Sequence, residues 1–323
     1  MMPVIRVDVV IVSYRSAETL EAAVAGLLPL PVVATVTVVD NASPDRSARV
    51  ARDAGAAVIE NAKNRGFAAA VNQGWRFGQA EHVLLLNPDA VLGSDALDGL
   101  IRALDADPTL AIVGPLLVND DGLVTAGARR FSTIANRSLA YAPLIHRCRA
   151  WSPDYPVPPL SGGGVLPVDY VWGAALLTRR SFLSSVGGLD ERFFMYEEDE
   201  DLGLRARAWG CGVGLVTDVC ARHVGGVSSR GLEPLAEARK VYATRQLFEK
   251  WRGRHVANVY TFLMFCVFAT QWAAGTVKRR CSDAWCAAAS ARGLACLLFA
   301  GSAAPSEVNR SANCGTCQVP PLD

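Results

Sequence analysis

Apolar, β-branched runs alternate with segments of helical periodicity through the first hundred residues, and this alternation constrains the fold more than any other feature of the chain. Residues 7–12 read as a buried strand. Ser16-Ala17-Glu18-Thr19-Leu20 then opens a helical pattern that carries Leu20, Val24, Leu27 and Leu28 on one face. Residues 33–39 form a second β-branched strand, followed by a helix over about 45–54 and a short strand over 57–60. The pattern goes on as a helix over 66–79, a strand over 82–86 ending in Asn87-Pro88-Asp89, and a helix over 95–105. Strand and helix in strict alternation predict an α/β chain with a doubly wound, mostly parallel sheet. With 323 residues the chain can bury a large core, as one α/β domain with an appendage or as two modest domains.

In an open α/β sheet, ligands gather outside the carboxyl ends of the strands. Asp40, in Asp40-Asn41-Ala42-Ser43, and Asp89 both fall at such ends. A dinucleotide-binding domain is the obvious rival, but the first strand runs into Tyr14-Arg15-Ser16 with no Gly-x-Gly-x-x-Gly turn, and no Walker loop occurs. From about residue 125 to 167 the pattern loosens into Pro- and Gly-rich sequence, which in a compact domain denotes a functional loop or disorder. Residues 168–178 restore a strand, with Trp172-Gly173-Ala174 inside it. No internal repeat is evident.

Residues 187–202, GGLDERFFMYEEDEDL, set a knot of carboxylates directly behind an aromatic run. Crowded acids that cannot all be solvated raise one another's pKa, which is how a protein obtains a carboxylate basic enough to take a proton near neutral pH. The competing reading is a solvated helix start, since acids suit the first turn and Asp201 stands four residues before Arg205.

Composition narrows the function classes. The formal net charge is +1, and the first two-thirds of the chain hold no basic stripe with interleaved aromatics, which argues against a nucleic-acid partner. Nine cysteines without framework spacing suit reduced thiols, and the single Cys314-Gly315-Thr316-Cys317 has no second pair to complete a zinc site. Asp8 interrupts the only apolar run near the N-terminus, so no secretory signal is expected and the catalytic part is expected inside the cell.

Seven motifs in order carry a resemblance: Val9-Val10-Ile11-Val12-Ser13-Tyr14, Val38-Val39-Asp40-Asn41-Ala42-Ser43, Asn64-Arg65-Gly66-Phe67-Ala68, Leu86-Asn87-Pro88-Asp89, Trp172-Gly173-Ala174, residues 193–202, and His223-Val224-Gly225-Gly226. Over about residues 7–231 the chain resembles family 2 glycosyltransferases of the GT-A fold, within them the branch that includes bacterial rhamnosyltransferases. The resemblance implies a nucleotide-sugar site built from Val12, Ser13, Asp40, Asn64, Gly66, Asn72 and Asp89. It also implies an acceptor pocket at Trp172, Gly173 and Ala174, and a divalent cation, Mg²⁺ or Mn²⁺, at Asp89 and His223. The family's acidic triplet is reduced here to Asn-Pro-Asp, leaving Asp89 as the main carboxylate.

In the acidic knot, the family register selects Asp199 as the base with Glu198 beside it, and Asp201 is the second choice because Glu197 and Glu200 allow the frame to slip. Structural readings compete at several positions: a turn at Asn87-Pro88-Asp89, a helix cap at Asn64, a core tryptophan at Trp172. The implied reaction is an inverting transfer from a sugar nucleotide, with rhamnose from dTDP-rhamnose as the leading donor. UDP-linked hexose, N-acetylhexosamine or galactofuranose are alternatives, and a sugar-nucleotide nucleotidyltransferase is a further one. The implied acceptor is a glycan that is lipid-linked, on polyprenyl diphosphate, or part of a polysaccharide.

The expected organisation is a glycosyltransferase domain over 1–231, with donor half to about 120 and acceptor half beyond it, then a helical extension over 232–300 and a disordered tail over 301–323. Residues 256–277 contain no charged side chain and are long enough to cross a bilayer. Polar residues within them, and Arg252, Arg254, Lys278, Arg279 and Arg280 at the two ends, favour attachment to the cytoplasmic face of a membrane, lying on it or inserted.

Overall fold

The structure is a computed structural model that describes residues 7–139, 163–225, 233–277, 288–292, 294–295 and 298. Much of the loosened stretch before residue 163, Gly226, the Cys314–Cys317 pair and the tail over 301–323 lie outside the described residues.

The first half follows the alternation: β1 (Val7–Ser13), α1 (Leu20–Ala25), β2 (Val33–Asp40), α2 (Ser47–Asp53), β3 (Ala57–Glu60), α3 (Phe67–Phe77), β4 (His82–Leu86), β5 (Ala90–Leu92) and α4 (Ser94–Ala106). Then come β6 (Leu110–Val118), β7 (Val124–Ala126), β8 (Ala128–Arg129), α5 (Ile134–Leu139), β9 (Val165–Val168), β10 (Tyr170–Val171), β11 (Ala175–Arg179) and α6 (Arg180–Val186). The last elements are α7 (Glu198–Ala208), β12 (Gly212–His223), α8 (Glu233–Arg252) and α9 (Arg254–Val277).

The main sheet runs β3-β2-β1-β4-β11-β6-β12-β5, with β7 beside β6 and β9 beside β12. The β3-β2-β1-β4 half is wholly parallel, and β6 and β12 are parallel to each other. Between these halves β11 lies antiparallel to both β4 and β6. One face of the sheet packs on α1, α2 and α4 through Leu20, Val24, Leu97 and Leu100; the other packs on α3, α6 and α7 through Val71, Trp75, Leu183 and Leu202. Both faces are buried, so the strands read as continuous apolar runs rather than alternating ones.

The strand expected over 168–178 is divided in the fold. Tyr170 and Val171 pair with β8 in a separate two-stranded sheet, Trp172-Gly173-Ala174 turns, and only Ala175–Arg179 joins the main sheet. Arg180 pairs with buried Asp8 at 2.6 Å and ties α6 to β1.

The helix pair α8–α9 is bonded to the sheet domain at its acidic segment. Lys250 Nζ donates to Asp201 at 2.6 Å and to Asp190 at 2.7 Å, Trp251 Nε1 donates to Asp201 at 2.8 Å, and Arg252 donates to the Ser132 carbonyl at 2.6 Å. Val241, Phe248, Tyr260, Met264 and Phe268 form the core between the two helices.

Candidate active site

The carboxyl ends of β1, β2 and β4 border a cavity of about 580 Å³, closed on the far side by residues 194–199 and by α8. Asn87-Pro88-Asp89 forms the short link between β4 and β5. The antiparallel register of β12 on β5 sets His223 opposite Ala90, so the imidazole arrives beside Asp89 from a strand far later in the chain. His223 Nε2 is 3.3 Å from Asp89 Oδ1 and 3.5 Å from Asn87 Nδ2. One ion can contact both Asp89 and His223 at this spacing, with its other positions left to water and diphosphate oxygens, as Mg²⁺ and Mn²⁺ prefer. Among the described residues there is no cluster of three or more acidic, histidine or cysteine side chains suited to a metal. The residues therefore fit a metal that is only half held by protein.

The acidic segment reaches the cavity through a strained turn. Gly187 and Gly188 take left-handed φ values, and the Asn72 side chain holds Leu189 from both sides, accepting from its N–H at 2.9 Å and donating to its carbonyl at 2.8 Å. Phe67 N–H, the first of α3, donates to the Phe194 carbonyl at 2.6 Å. Gly66 is required there: its φ is +87°, and a Cβ would stand 2.7 Å from that same carbonyl oxygen. Tyr196 and Glu197 then adopt φ of 73° and 66° in succession, and α7 starts at Glu198. Two neighbouring non-glycine residues in the left-handed region are uncommon, and such strain persists only where the surroundings enforce it.

The five successive acids, residues 197–201, have different surroundings. Glu197 is held by Arg137 at 2.7 Å and by the Thr244 hydroxyl at 2.7 Å. Glu200 accepts from the Ser132 N–H and hydroxyl, both at 2.5 Å, and pairs with Arg137 at 2.9 Å; burial and the charge of Glu197 still hold its carboxyl up to about 7. Asp201 is buried and spent on Arg205, Lys250 and Trp251, away from the cavity.

Asp199 has no cationic hydrogen-bond partner among the described residues; Gly173 N–H donates to its Oδ2 at 3.1 Å and Glu200 N–H to its Oδ1 at 2.8 Å. Burial pushes its carboxyl above the ordinary range, against those two backbone bonds. Glu198 is pushed well above its ordinary value by burial and by the adjacent Asp199, and its Oε2 is buried with no hydrogen-bond partner among the described residues. Asp199 thus combines a backbone-fixed orientation, raised basicity and a place on the cavity wall, where Trp172, Gly173 and Ala174 also lie.

Of the residues expected to meet the nucleotide sugar, Val12, Asn64, Gly66 and Asp89 line the cavity. Asn64 Oδ1 accepts from Gly66 N–H at 2.9 Å, so it shapes the loop, and α3 has no side-chain cap. Asp40 and Ser13 stand just behind the wall, and Asp40 Oδ1 and Ser13 Oγ are buried without partners among the described residues. Asn72 lies outside the cavity, with its amide given to Leu189 and Glu191.

Sequence reasoning passed over Asn41, Arg129, Arg137 and the α8 side chains. Asn41 Nδ2 donates to the Gly66 carbonyl and its Oδ1 accepts from Arg65 N–H, both at 3.0 Å, which fixes the donor-side loop. Its place next to Asp40 in a strand-end motif was the available signal. Arg129 stacks on the Trp172 ring at 4.6 Å. Arg137 lies in weakly patterned sequence, and nothing local marks it.

The family model for glycosyl transferase family 2 matches residues 8–163. An N-acetylglucosaminyl-diphospho-decaprenol L-rhamnosyltransferase of Mycobacterium tuberculosis is 33% identical over 213 residues, which is 61% of this chain and 69% of that protein. The low-salt glycan biosynthesis hexosyltransferase Agl10 of Haloferax volcanii is 24% identical over 255 residues, 78% of this chain and 75% of that protein. Among solved structures, the mannosyltransferase PcManGT from Pyrobaculum calidifontis in complex with GDP-Man and Mn²⁺ superposes with a TM-score of 0.53 at 18% identity, covering 95% of this chain and 79% of that one. Glucosyl-3-phosphoglycerate synthase from Mycobacterium tuberculosis, in complex with Mn²⁺, UDP-Glc and phosphoglyceric acid, gives 0.51 at 16% identity, with coverage of 76% and 79%. The likeness to both structures is one of fold. Sheet order, motif series and these relatives agree that the chain belongs to glycosyl transferase family 2 and is a glycosyltransferase of the GT-A fold.

Proposed function

We propose that this glycosyltransferase moves rhamnose from dTDP-rhamnose, with inversion, onto an N-acetylglucosaminyl diphosphate carried by a polyprenol, in building the cell envelope. One observation carries the reading: Asp89, His223, Asp199 and Trp172-Gly173-Ala174, from four separate parts of the chain, border a single cavity. The donor sugar and carrier rest on the Mycobacterium tuberculosis relative, whose name states both acceptor and rhamnosyl transfer.

In the proposed mechanism the donor lies along Val12, Asn64 and Gly66 with its diphosphate at Asp89 and His223. A divalent cation held by those two side chains would neutralise charge developing on the leaving diphosphate. Asp199 takes the proton of the acceptor hydroxyl. That oxygen bonds to the anomeric carbon from the face opposite the diphosphate, and the bond to the diphosphate oxygen breaks with its electron pair leaving on the nucleotide. The Gly173 N–H keeps the Asp199 carboxylate aimed, and Trp172 offers an aromatic face to the acceptor sugar. The test is transfer to a prenyl-diphosphate N-acetylglucosamine by the full chain with Mn²⁺, comparing dTDP-rhamnose with UDP-hexoses. Transfer from dTDP-rhamnose is expected to dominate; faster transfer from a UDP-sugar overturns the donor assignment.

A lipid-linked acceptor needs the enzyme at the membrane, and α9 supplies a fitting surface. Its stretch Arg254–Ala273 is apolar enough to span a bilayer and is only 22% buried. Val259, Phe262 and Trp272 are 51%, 68% and 51% exposed along it, while Tyr260, Met264 and Phe268 pack inward on α8. We propose that this outer stripe lies in the interface of the cytoplasmic leaflet, with Arg254 toward anionic headgroups. Replacing both Phe262 and Trp272 by Ser removes about 2 kcal/mol or more of apolar burial. Flotation with anionic vesicles is expected to show a loss of binding of at least about tenfold; unchanged flotation removes α9 as the contact.

A further inference from the structure

Among the described residues, four lysine and arginine side chains line the cavity, and three of them are matched to acids. Arg137 pairs with Glu197 and Glu200. Lys240 pairs with Glu237 at 2.7 Å. Arg129 lies in the field of Asp199. Arg239 of α8 differs: its guanidinium stacks on the Phe194 ring at 5.3 Å, in the neighbourhood of Tyr196 and Tyr14, and no carboxylate among the described residues pairs with it. Burial depresses its pKa, though an arginine stays charged at any physiological pH. A partly buried guanidinium without a counter-ion is costly, and an anion entering the cavity would remove that cost. Tyr14 follows the carboxyl end of β1, so this cation stands at the edge where the nucleotide is proposed to lie.

We infer that Arg239 is the protein's own counter-ion for a diphosphate in the cavity, delivered by α8 from beyond the residues that the family model matches. Guanidinium geometry suits two phosphate oxygens at once, which a lysine cannot reproduce. The inference rests on the transferase reading, in which two diphosphates reach this site: that of the nucleotide donor and that of the prenyl acceptor. Both present the same chemistry to Arg239. The site as drawn would thus be incomplete in a chain shortened before α8, and its affinity for diphosphate would depend on helix docking by Thr244, Lys250 and Trp251.

Titration calorimetry of the full-length protein with Mn²⁺ tests this, using dTDP, UDP, a short-chain prenyl diphosphate and thymidine as probes on the wild type, Arg239→Gln and Arg239→Lys. Arg239→Gln is expected to weaken a diphosphate probe by about tenfold or more, the loss of one charged hydrogen-bonding group. Thymidine binding should hold, and Arg239→Lys should recover part of the loss. A loss confined to dTDP or UDP assigns the donor diphosphate, and one confined to the prenyl diphosphate assigns the acceptor. Equal affinity of Arg239→Gln and wild type for every diphosphate overturns the inference. So does a parallel loss for thymidine, which marks a structural role. A wild type that binds no nucleoside diphosphate overturns the transferase reading instead.

Discussion

Asp199→Asn is expected to lower sugar transfer by about a thousandfold, the upper-middle range for loss of a positioned general base. Binding of the nucleotide donor should change little. The asparagine keeps the size of the side chain and can still accept the Gly173 N–H through its carbonyl, giving up the bond from the Glu200 N–H, so the turn at Trp172-Gly173-Ala174 should stand. What it cannot do is take a proton. Single-turnover transfer measured beside donor affinity separates the two, and transfer within a few-fold of wild type would remove Asp199 as the base.

The same substitution has a signature in stability. Burial raises the Asp199 carboxyl above its ordinary 3.8, so the folded protein holds that proton more tightly than the unfolded chain does. Such a group favours the fold below 3.8, and that advantage is lost as pH rises through the raised folded value. Glu200, held up to about 7 from 4.5, acts in the same sense over that window. At pH 7 the wild type therefore carries buried carboxylates at a cost, and the unfolding temperature of Asp199→Asn should fall less than that of the wild type as pH rises from about 4 toward 7. In the wild type, transfer should fall on the acid side as Asp199 protonates, with its midpoint above the ordinary carboxylate range.

The sheet was readable in sequence where burial alone dictated it. The strands over 7–12 and 82–86, and the second half of the one over 33–39, are buried and appear as mostly apolar runs broken only by Asp8, Thr37 and His82. β6 is just as buried, yet Gly114-Pro115 in its middle is punctuation that argues against a strand. The division of residues 168–178 accompanies the pairing of Tyr170 and Val171 with β8 and the bond from Gly173 N–H to Asp199, twenty-six positions on, neither of which a local pattern reports. For the site, the residues at strand ends could be found because a strand end is a local event. The order of roles within the acid knot could not: Glu197, Glu200 and Asp201 are paired with Arg137 of α5 and Lys250 of α8 and hydrogen-bonded by Thr244 and Trp251 of α8. Only after these partners are in place are Glu198 and Asp199 the acids of the knot left on the cavity wall without a basic hydrogen-bond partner among the described residues, and of the two Asp199 is the one aimed by the Gly173 N–H.

Loss of either side chain proposed to hold the metal, Asp89 or His223, should have the second-largest effect. Asp89→Asn and His223→Ala are each expected to reduce transfer by about a hundredfold or more, since charge stabilisation by a metal ion contributes several kcal/mol. Unlike Asp199→Asn, both should weaken the donor itself, because the diphosphate is proposed to bind through the ion they hold. The two differ in what they leave behind. Asp89 is buried at the β4–β5 link, and Asn there keeps the turn while removing the charge. His223 ends β12, and its truncation leaves Asp89 able to hold an ion alone, more weakly. Raising Mn²⁺ should therefore restore part of the activity of His223→Ala and little of that of Asp89→Asn, and chelation should silence the wild type. Thermal shift with dTDP, with and without Mn²⁺, reads the same contrast without turnover: a metal-dependent stabilisation in the wild type, reduced in His223→Ala and lost in Asp89→Asn. If dTDP stabilises the wild type equally in a chelator, Asp89 and His223 are not a metal site, and their 3.3 Å contact is a hydrogen bond that joins β12 to the β4–β5 link.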